Sequence, residues 1–216
     1  MSMKNKNTSN WNIILFFVIL PITQIYSQNL TKYVNPFVGT SKMGHVFPGA
    51  TVPFGMVQLS PQTNFEVMHQ KDGSYNKKTY EYCAGYQYRD TTIIGFSHTN
   101  FSGTGHSDLG DLLVMPTTGK LILAPLKTQK GKKGYYSTFS HDQEQASPGY
   151  YKVDLESYGI QAELTATERV GYHQYTFPKS EEAHIILDLV YNVYHHDNKN
   201  VWTFIRVEND TLITGY

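Results

Sequence analysis

Between Gly95 and Asp111 the chain reads GFSHTNFSGTGHSDLGD, a stretch holding two histidines, two aspartates and four glycines. Imidazole and carboxylate groups this close in sequence can ligate a metal, move protons, or hydrogen-bond a hydroxyl-rich ligand such as a sugar. Glycines at 95, 103, 105 and 110 open backbone conformations closed to other residues and allow close approach to a partner. Ser97, His98, Thr99, Asn100, Ser102, Thr104, His106, Ser107, Asp108 and Asp111 supply hydrogen-bonding groups for such a ligand. The same composition also suits a solvated, turn-rich loop.

Each sharper chemistry meets a specific objection. For metal binding, the ligand candidates are His98, His106 and Asp108 in one loop and His195-His196-Asp197 in another. Neither set has helical or knuckle spacing, and neighbours in a strand such as His195 and His196 point apart, so no dedicated zinc site is expected. Ser97-His98, or Ser102 with His106 and Asp111, resembles a hydrolase triad only in residue type, because no nucleophile-elbow pattern surrounds either serine. The single cysteine, Cys83, has nothing local to make it a reactive thiolate and reads as a small buried hydrophobe or a pocket-lining thiol.

Two further stretches qualify as ligand walls. Gly44–Gly55 (GHVFPGATVPFG) packs two prolines and three glycines into irregular backbone, either a rigid loop holding His45 and Phe47 against a ligand or a structural lead-in. Tyr80-Glu81-Tyr82-Cys83-Ala84-Gly85-Tyr86-Gln87-Tyr88 has aromatics at 80, 82, 86 and 88. On a strand these rings share one face, as a sugar-stacking platform or as one wall of the core.

The elements that must position these residues are short strands. Ile160, Ala162, Leu164 and Ala166 alternate with Gln161, Glu163, Thr165 and Thr167, which predicts a half-buried strand. A partner precedes it (Tyr150 to Leu155) and another follows (Tyr172 to Phe177), giving an antiparallel meander. Gly55–Leu59, Thr92–Gly95, Leu112–Met115, Leu121–Ala124, His184–Leu189, Val201–Val207 and Thr211–Thr214 read as further strands. Some ten short strands with turn signals between them predict a mainly β fold, a large antiparallel two-sheet β-sandwich. Ser60–Thr79 and Lys127–Pro148 read as long loops. A strand-like segment ends at Tyr216 with no polar tail, which predicts a sandwich incomplete at its C-terminus, since an open edge is normally covered.

Residues 1–27 combine Lys4 and Lys6 with an apolar run from Trp11 to Leu20, as a secretory signal peptide does, with cleavage expected near Ser27. The apolar run is too short to span a bilayer, and no cysteine sits there for a lipid anchor. Residues 28–216 remain, enough for one domain with a real core. Lys+Arg and Asp+Glu both number 18, so no basic field exists to attract nucleic acid or anionic lipid. A lone cysteine rules out an intramolecular disulfide, as suits a bacterial periplasm or secreted protein held by packing.

NPFVGT, GHVFPGATVPFGMVQLSP, CAGY, IIGFSHTNFSGTGHSDLGD and SPGYYKVDLESYGIQAELTATERVGYHQYTFP occur in order from about Tyr33 to the chain end. Together they resemble the N-terminal domain of the glycoside hydrolase family ninety-two α-mannosidases. The resemblance implies a β-sandwich followed by a larger (α/α)-barrel domain, with the active site between them. It implies a calcium-dependent, exo-acting enzyme that removes terminal α-linked mannose from glycans with inversion. The general acid, the base aspartates and the calcium site are implied to belong to the second domain, so no catalytic or metal-ligating residue is expected here. The fragment alone is expected to be inactive. The residues implied to line the mannose pocket are His45, Phe47, Tyr82, Cys83, Tyr86, His98 and Asp108. The competing expectations are a free-standing carbohydrate-binding sandwich and a non-functional gene remnant.

Overall fold

A computed structural model describes residues 29–106, 108–126, 133–195 and 199–216. The expected signal segment, Ser107, the lysine-rich stretch 127–132 and the His196-Asp197 pair lie outside the described residues. Thr31–Tyr216 forms one compact unit.

Among the described residues thirteen strands run in chain order: β1 Ala50–Thr51, β2 Gln58–Gln62, β3 Thr92–Ile93, β4 Gly95–Ser97, β5 Leu113–Thr118, β6 Ser137–Thr138 and β7 Gln145–Ser147. There follow β8 Tyr150–Leu155, β9 Ile160–Ala166, β10 Gly171–Thr176, β11 Ala183–Asp188, β12 Ile205–Asn209 and β13 Leu212–Gly215. One sheet has the order β1-β2-β4-β5-β11 and a second the order β10-β9-β8-β7. The pairs within both sheets are antiparallel. β12 with β13, and β3 with β6, form two small ribbons.

The period-two pattern is the cause of the second sheet. Tyr151, Val153 and Leu155 of β8 and Ile160, Ala162, Leu164 and Ala166 of β9 are buried, while their alternate neighbours are not. In register, Leu164 lies between Tyr151 and His173, and Ala162 between Val153 and Tyr175. That buried face packs on Leu59, Phe96, Leu113 and Met115 of the first sheet, forming one apolar core. The expected mainly β sandwich and its meander are therefore what the chain builds.

Several expected elements differ. Tyr80–Tyr88 is not a strand. Lys77–Tyr82 coils as a 3-10 helix, with the Asn76 side chain accepting from the Lys78 N–H (3.2 Å), and the chain then turns, Gly85 N–H donating to the Tyr82 carbonyl (2.7 Å). The cap and the left-handed Gly85 (φ 78°) break the alternation that a pleated face needs. Leu121–Ala124 belongs to no strand. Ser60–Gln62, expected in a loop, belongs to β2, and Gln145–Ser147 forms β7. These strands are too short for periodicity to reveal; they exist because a neighbouring strand is there to pair with.

Candidate functional site

The run from Gly95 to Asp111 leaves the first sheet at β4 and returns at β5, and a buried amide cluster fixes its departure. The Gln62 carboxamide donates to Ser97 Oγ (2.6 Å) and to Asn100 Oδ1 (2.7 Å). Asn100 Nδ2 donates to Ser97 Oγ (2.9 Å) and to the Gln58 carbonyl (3.0 Å), while Tyr191 Oη donates to Gln62 Oε1 (3.3 Å). Ser97 is fully buried with its hydroxyl engaged by two amides, which is a structural role and not that of a nucleophile. The two arms of the loop are tied together further out. His98 N–H donates to the Asp111 carbonyl (3.1 Å), Gly110 N–H to the Thr99 carbonyl (2.8 Å), and Thr99 Oγ1 to Asp111 Oδ2 (3.2 Å).

The loop tip rests on the other predicted wall. Gly103 N–H donates to the His45 carbonyl (2.6 Å), and a β-carbon on Gly105 would lie 2.1 Å from Tyr80 Oη. His45 sits in the left-handed region (φ 50°) with its ring edge-on to Tyr80, centroids 5.0 Å apart. Its Nε2 is buried and finds no hydrogen-bond partner among the described residues. Phe47, two residues on, is buried. His45, Tyr80 and the Gly103–Gly105 tip are thus brought together.

The aromatic segment scatters its rings. Tyr80 and Tyr88 are exposed, and Tyr82 and Tyr86 are buried. Tyr82 Oη donates to Asp90 Oδ1 (3.1 Å) beneath the Arg89 guanidinium, and burial together with the Asp90 charge pushes the phenol up to about 12. Tyr86 Oη donates to Glu144, which also accepts from Tyr151 Oη (2.6 Å) and meets His141 Nδ1 (2.6 Å). A carboxylate held by two phenols and an imidazole inside the core is structural. Cys83 Sγ lies 3.0 Å from the Tyr80 carbonyl and 3.1 Å from Tyr194 Oη, packed on Val193. Burial pushes its thiol up, away from the reactive thiolate.

Of the remaining predicted residues, Asp108 is exposed and pairs with Lys199 (3.8 Å), which also reaches Asp111 (3.9 Å). Surface pairs of this kind add little stability. His195 Nε2 bonds the Asn64 carbonyl (2.7 Å). His98 turns to a partner that sequence reasoning missed. Its Nδ1 faces the Leu112 carbonyl (2.8 Å), and its Nε2 lies 3.1 Å from Nε2 of His173 on β10. His173 Nδ1 in turn meets Tyr175 Oη (2.7 Å). Burial lowers both imidazoles, and with the His98 ring beside it His173 falls to about 3. The one available signal was that His173 falls on the same face of its strand as Tyr175.

Calcium demands six to eight oxygen ligands. Among the described residues no group of three or more His, Cys, Asp or Glu side chains could hold a metal ion, so these residues do not make a calcium cage.

The fold is a β-sandwich whose irregular loops meet at His45, Tyr80 and the Gly103–Gly105 tip. The chain belongs to the glycosyl hydrolase family 92 N-terminal domain family, whose pattern it matches over residues 33–216. It is similar to a family 92 α-mannosidase of Bacteroides thetaiotaomicron solved with mannoimidazole: 42% identity, TM-score 0.74, covering 86% of this chain and 22% of that one. A family 92 inverting mannosidase of the same organism is 27% identical with a TM-score of 0.55, covering 75% of this chain and 20% of that one. An uncharacterized secreted glycosidase of Arthroderma benhamiae is 29% identical over 174 residues, which are 77% of this chain and 20% of that protein. The chain therefore spans about a fifth of the length of these relatives.

Proposed function

We propose that this chain is the N-terminal sandwich of an exported exo-acting α-mannosidase and forms one wall of the pocket for a terminal α-linked mannose. The observation that carries the reading is the 42% identity, over 86% of the chain, to a protein described as an α-mannosidase. Inverting hydrolysis needs an acid carboxyl and a base carboxylate about 6.5–9.5 Å apart on opposite faces of the sugar. The buried Glu144 is occupied by Tyr86, Tyr151 and His141, and Asp108 and Asp111 face Lys199. The acid, the base and calcium are accordingly assigned to a helical (α/α)-barrel domain outside these 216 residues.

The sandwich contributes position. His45, whose buried Nε2 has no hydrogen-bond partner among the described residues, holds through its carbonyl the tip of the loop that carries His98 and Asp108. Phe47, Tyr82, Cys83 and Tyr86 are buried, and in this reading they stiffen the wall and do not touch the sugar. A bound, oriented sugar has already lost the freedom that would otherwise oppose reaction. Export rests on the signal-like residues 1–27 and agrees with the secreted relative.

The test is hydrolysis of an aryl α-mannoside by the 216-residue chain, alone and mixed with the non-matching remainder of the 42%-identical mannosidase. The expected result is no turnover alone and turnover on mixing that His45→Ala weakens. Hydrolysis by the chain alone would overturn the assignment of the catalytic groups. Tight mannose binding by the chain alone, unchanged on mixing, would favour a free-standing carbohydrate-binding sandwich.

A further inference from the structure

The contact between His98 and His173 joins the two sheets. His98 follows β4 at the centre of the first sheet, and His173 lies on β10, the edge of the second. Gly171 makes room for it: a β-carbon there would stand 3.0 Å from His98 Cδ2 and 2.8 Å from Leu59 Cδ2. We propose that His98 and His173 form a two-imidazole chelate for a late first-row divalent metal such as Cu(II) or Zn(II), both ligating through Nε2.

Geometry carries the proposal. With metal–nitrogen distances of about 2.0–2.1 Å, an Nε2···Nε2 spacing of 3.1 Å corresponds to an N–metal–N angle of about 100°. That angle lies between square-planar and tetrahedral ligation, the geometries that Cu(II) and Zn(II) adopt. Both rings are also anchored through the other nitrogen, as ligating histidines are. A carbonyl only accepts, so His98 Nδ1 must carry the proton it donates to Leu112, leaving the Nε2 lone pair free. Without metal, His173 Nε2–H donates to that lone pair and Tyr175 Oη donates to His173 Nδ1. On binding, the His173 proton moves to Nδ1 and is accepted by Tyr175 Oη, so the ring stays neutral and no proton need be released.

Two protein nitrogens do not fill a coordination sphere. His98 lines a cavity of about 620 Å³ together with Asp111 and Trp202, where waters can occupy the remaining positions. Asp111 is engaged by Thr99 and Lys199 and is not counted as a ligand. Imidazole ligands and the Irving–Williams order make Cu(II) the tightest guest.

The experiment loads the purified 216-residue chain with one equivalent of Cu(II) and records its electron paramagnetic resonance spectrum, with calorimetric titration of Cu(II) and Zn(II). The expected result is hyperfine structure from two equivalent imidazole nitrogens, and binding weakened about tenfold or more in both His98→Gln and His173→Gln. Because either variant could unfold, each is compared with wild type by thermal unfolding in chelator. Paramagnetic broadening of the His173 and Tyr175 ring protons gives a readout on the unaltered chain. Broadening confined to other histidines, or Cu(II) binding equal in wild type and both folded variants, would overturn the site and leave a hydrogen-bonded pair only.

Discussion

Gly85 lies directly against the Gln62 carboxamide: a β-carbon on Gly85 would fall 1.9 Å from Gln62 Oε1. Gly85 also sits at φ 78°, where side chains are strained. The turn after the 3-10 helix and the amide cluster that anchors the loop at Ser97 and Asn100 are thus in contact, and one glycine permits it. Gly85→Ala should destabilise the fold by about 2–4 kcal/mol from backbone strain and overpacking combined. Thermal unfolding checks this; an unchanged midpoint would show that the two segments can move apart freely.

Asn100 connects β2 to the loop through Gln58 and Ser97. Replacing it by alanine leaves the Gln62 amide with one acceptor fewer and costs about 1–3 kcal/mol. Amide hydrogen exchange should quicken first between residues 95 and 111, ahead of β8 and β9.

The Tyr82 phenol, pushed up to about 12 by burial and by Asp90, makes stability depend on alkaline pH. The folded state holds its proton more tightly than the unfolded chain, whose phenol titrates near 10. Its contribution is therefore full below pH 10 and is lost as pH rises through 12. Urea unfolding between pH 8 and 11.5 should show a steeper loss for wild type than for Tyr82→Phe; parallel curves would sink the prediction.

Cys83 is 2% exposed and its thiol is raised by burial. A thiol reagent at pH 8 should label it only on the timescale of unfolding, and addition of urea should convert slow labelling to a rapid stoichiometric burst. Rapid labelling of the native chain would place Cys83 at an open surface.

Glu144 accepts from Tyr86 and Tyr151 and meets His141, and removing its carboxylate strands the two phenols in the core and takes the partner from His141 Nδ1. Glu144→Ala should cost about 3–5 kcal/mol, approaching the whole stability of an ordinary domain. Loss of the cooperative unfolding transition is the expected reading.

The sequence by itself determined the sheet that needs only its own pattern. Ile160 through Ala166 and Tyr151 through Leu155 alternate apolar and polar residues, and short turns join them, so strand, face and partner are all local information. It also determined, through long ordered motifs, the family, and it offered His45 and His98 as candidate wall residues. Tertiary structure alone decided where the chemistry of those residues points. Tyr80, Tyr82, Tyr86 and Tyr88 alternate as a strand would, yet Asn76 and Gly85 coil and turn the segment and bury two of the rings. His98 meets His173 from 75 positions away, because the sandwich closes two sheets over a common core. Periodicity records which face of a strand seeks apolar company, and it carries no record of which distant side chain will be found there.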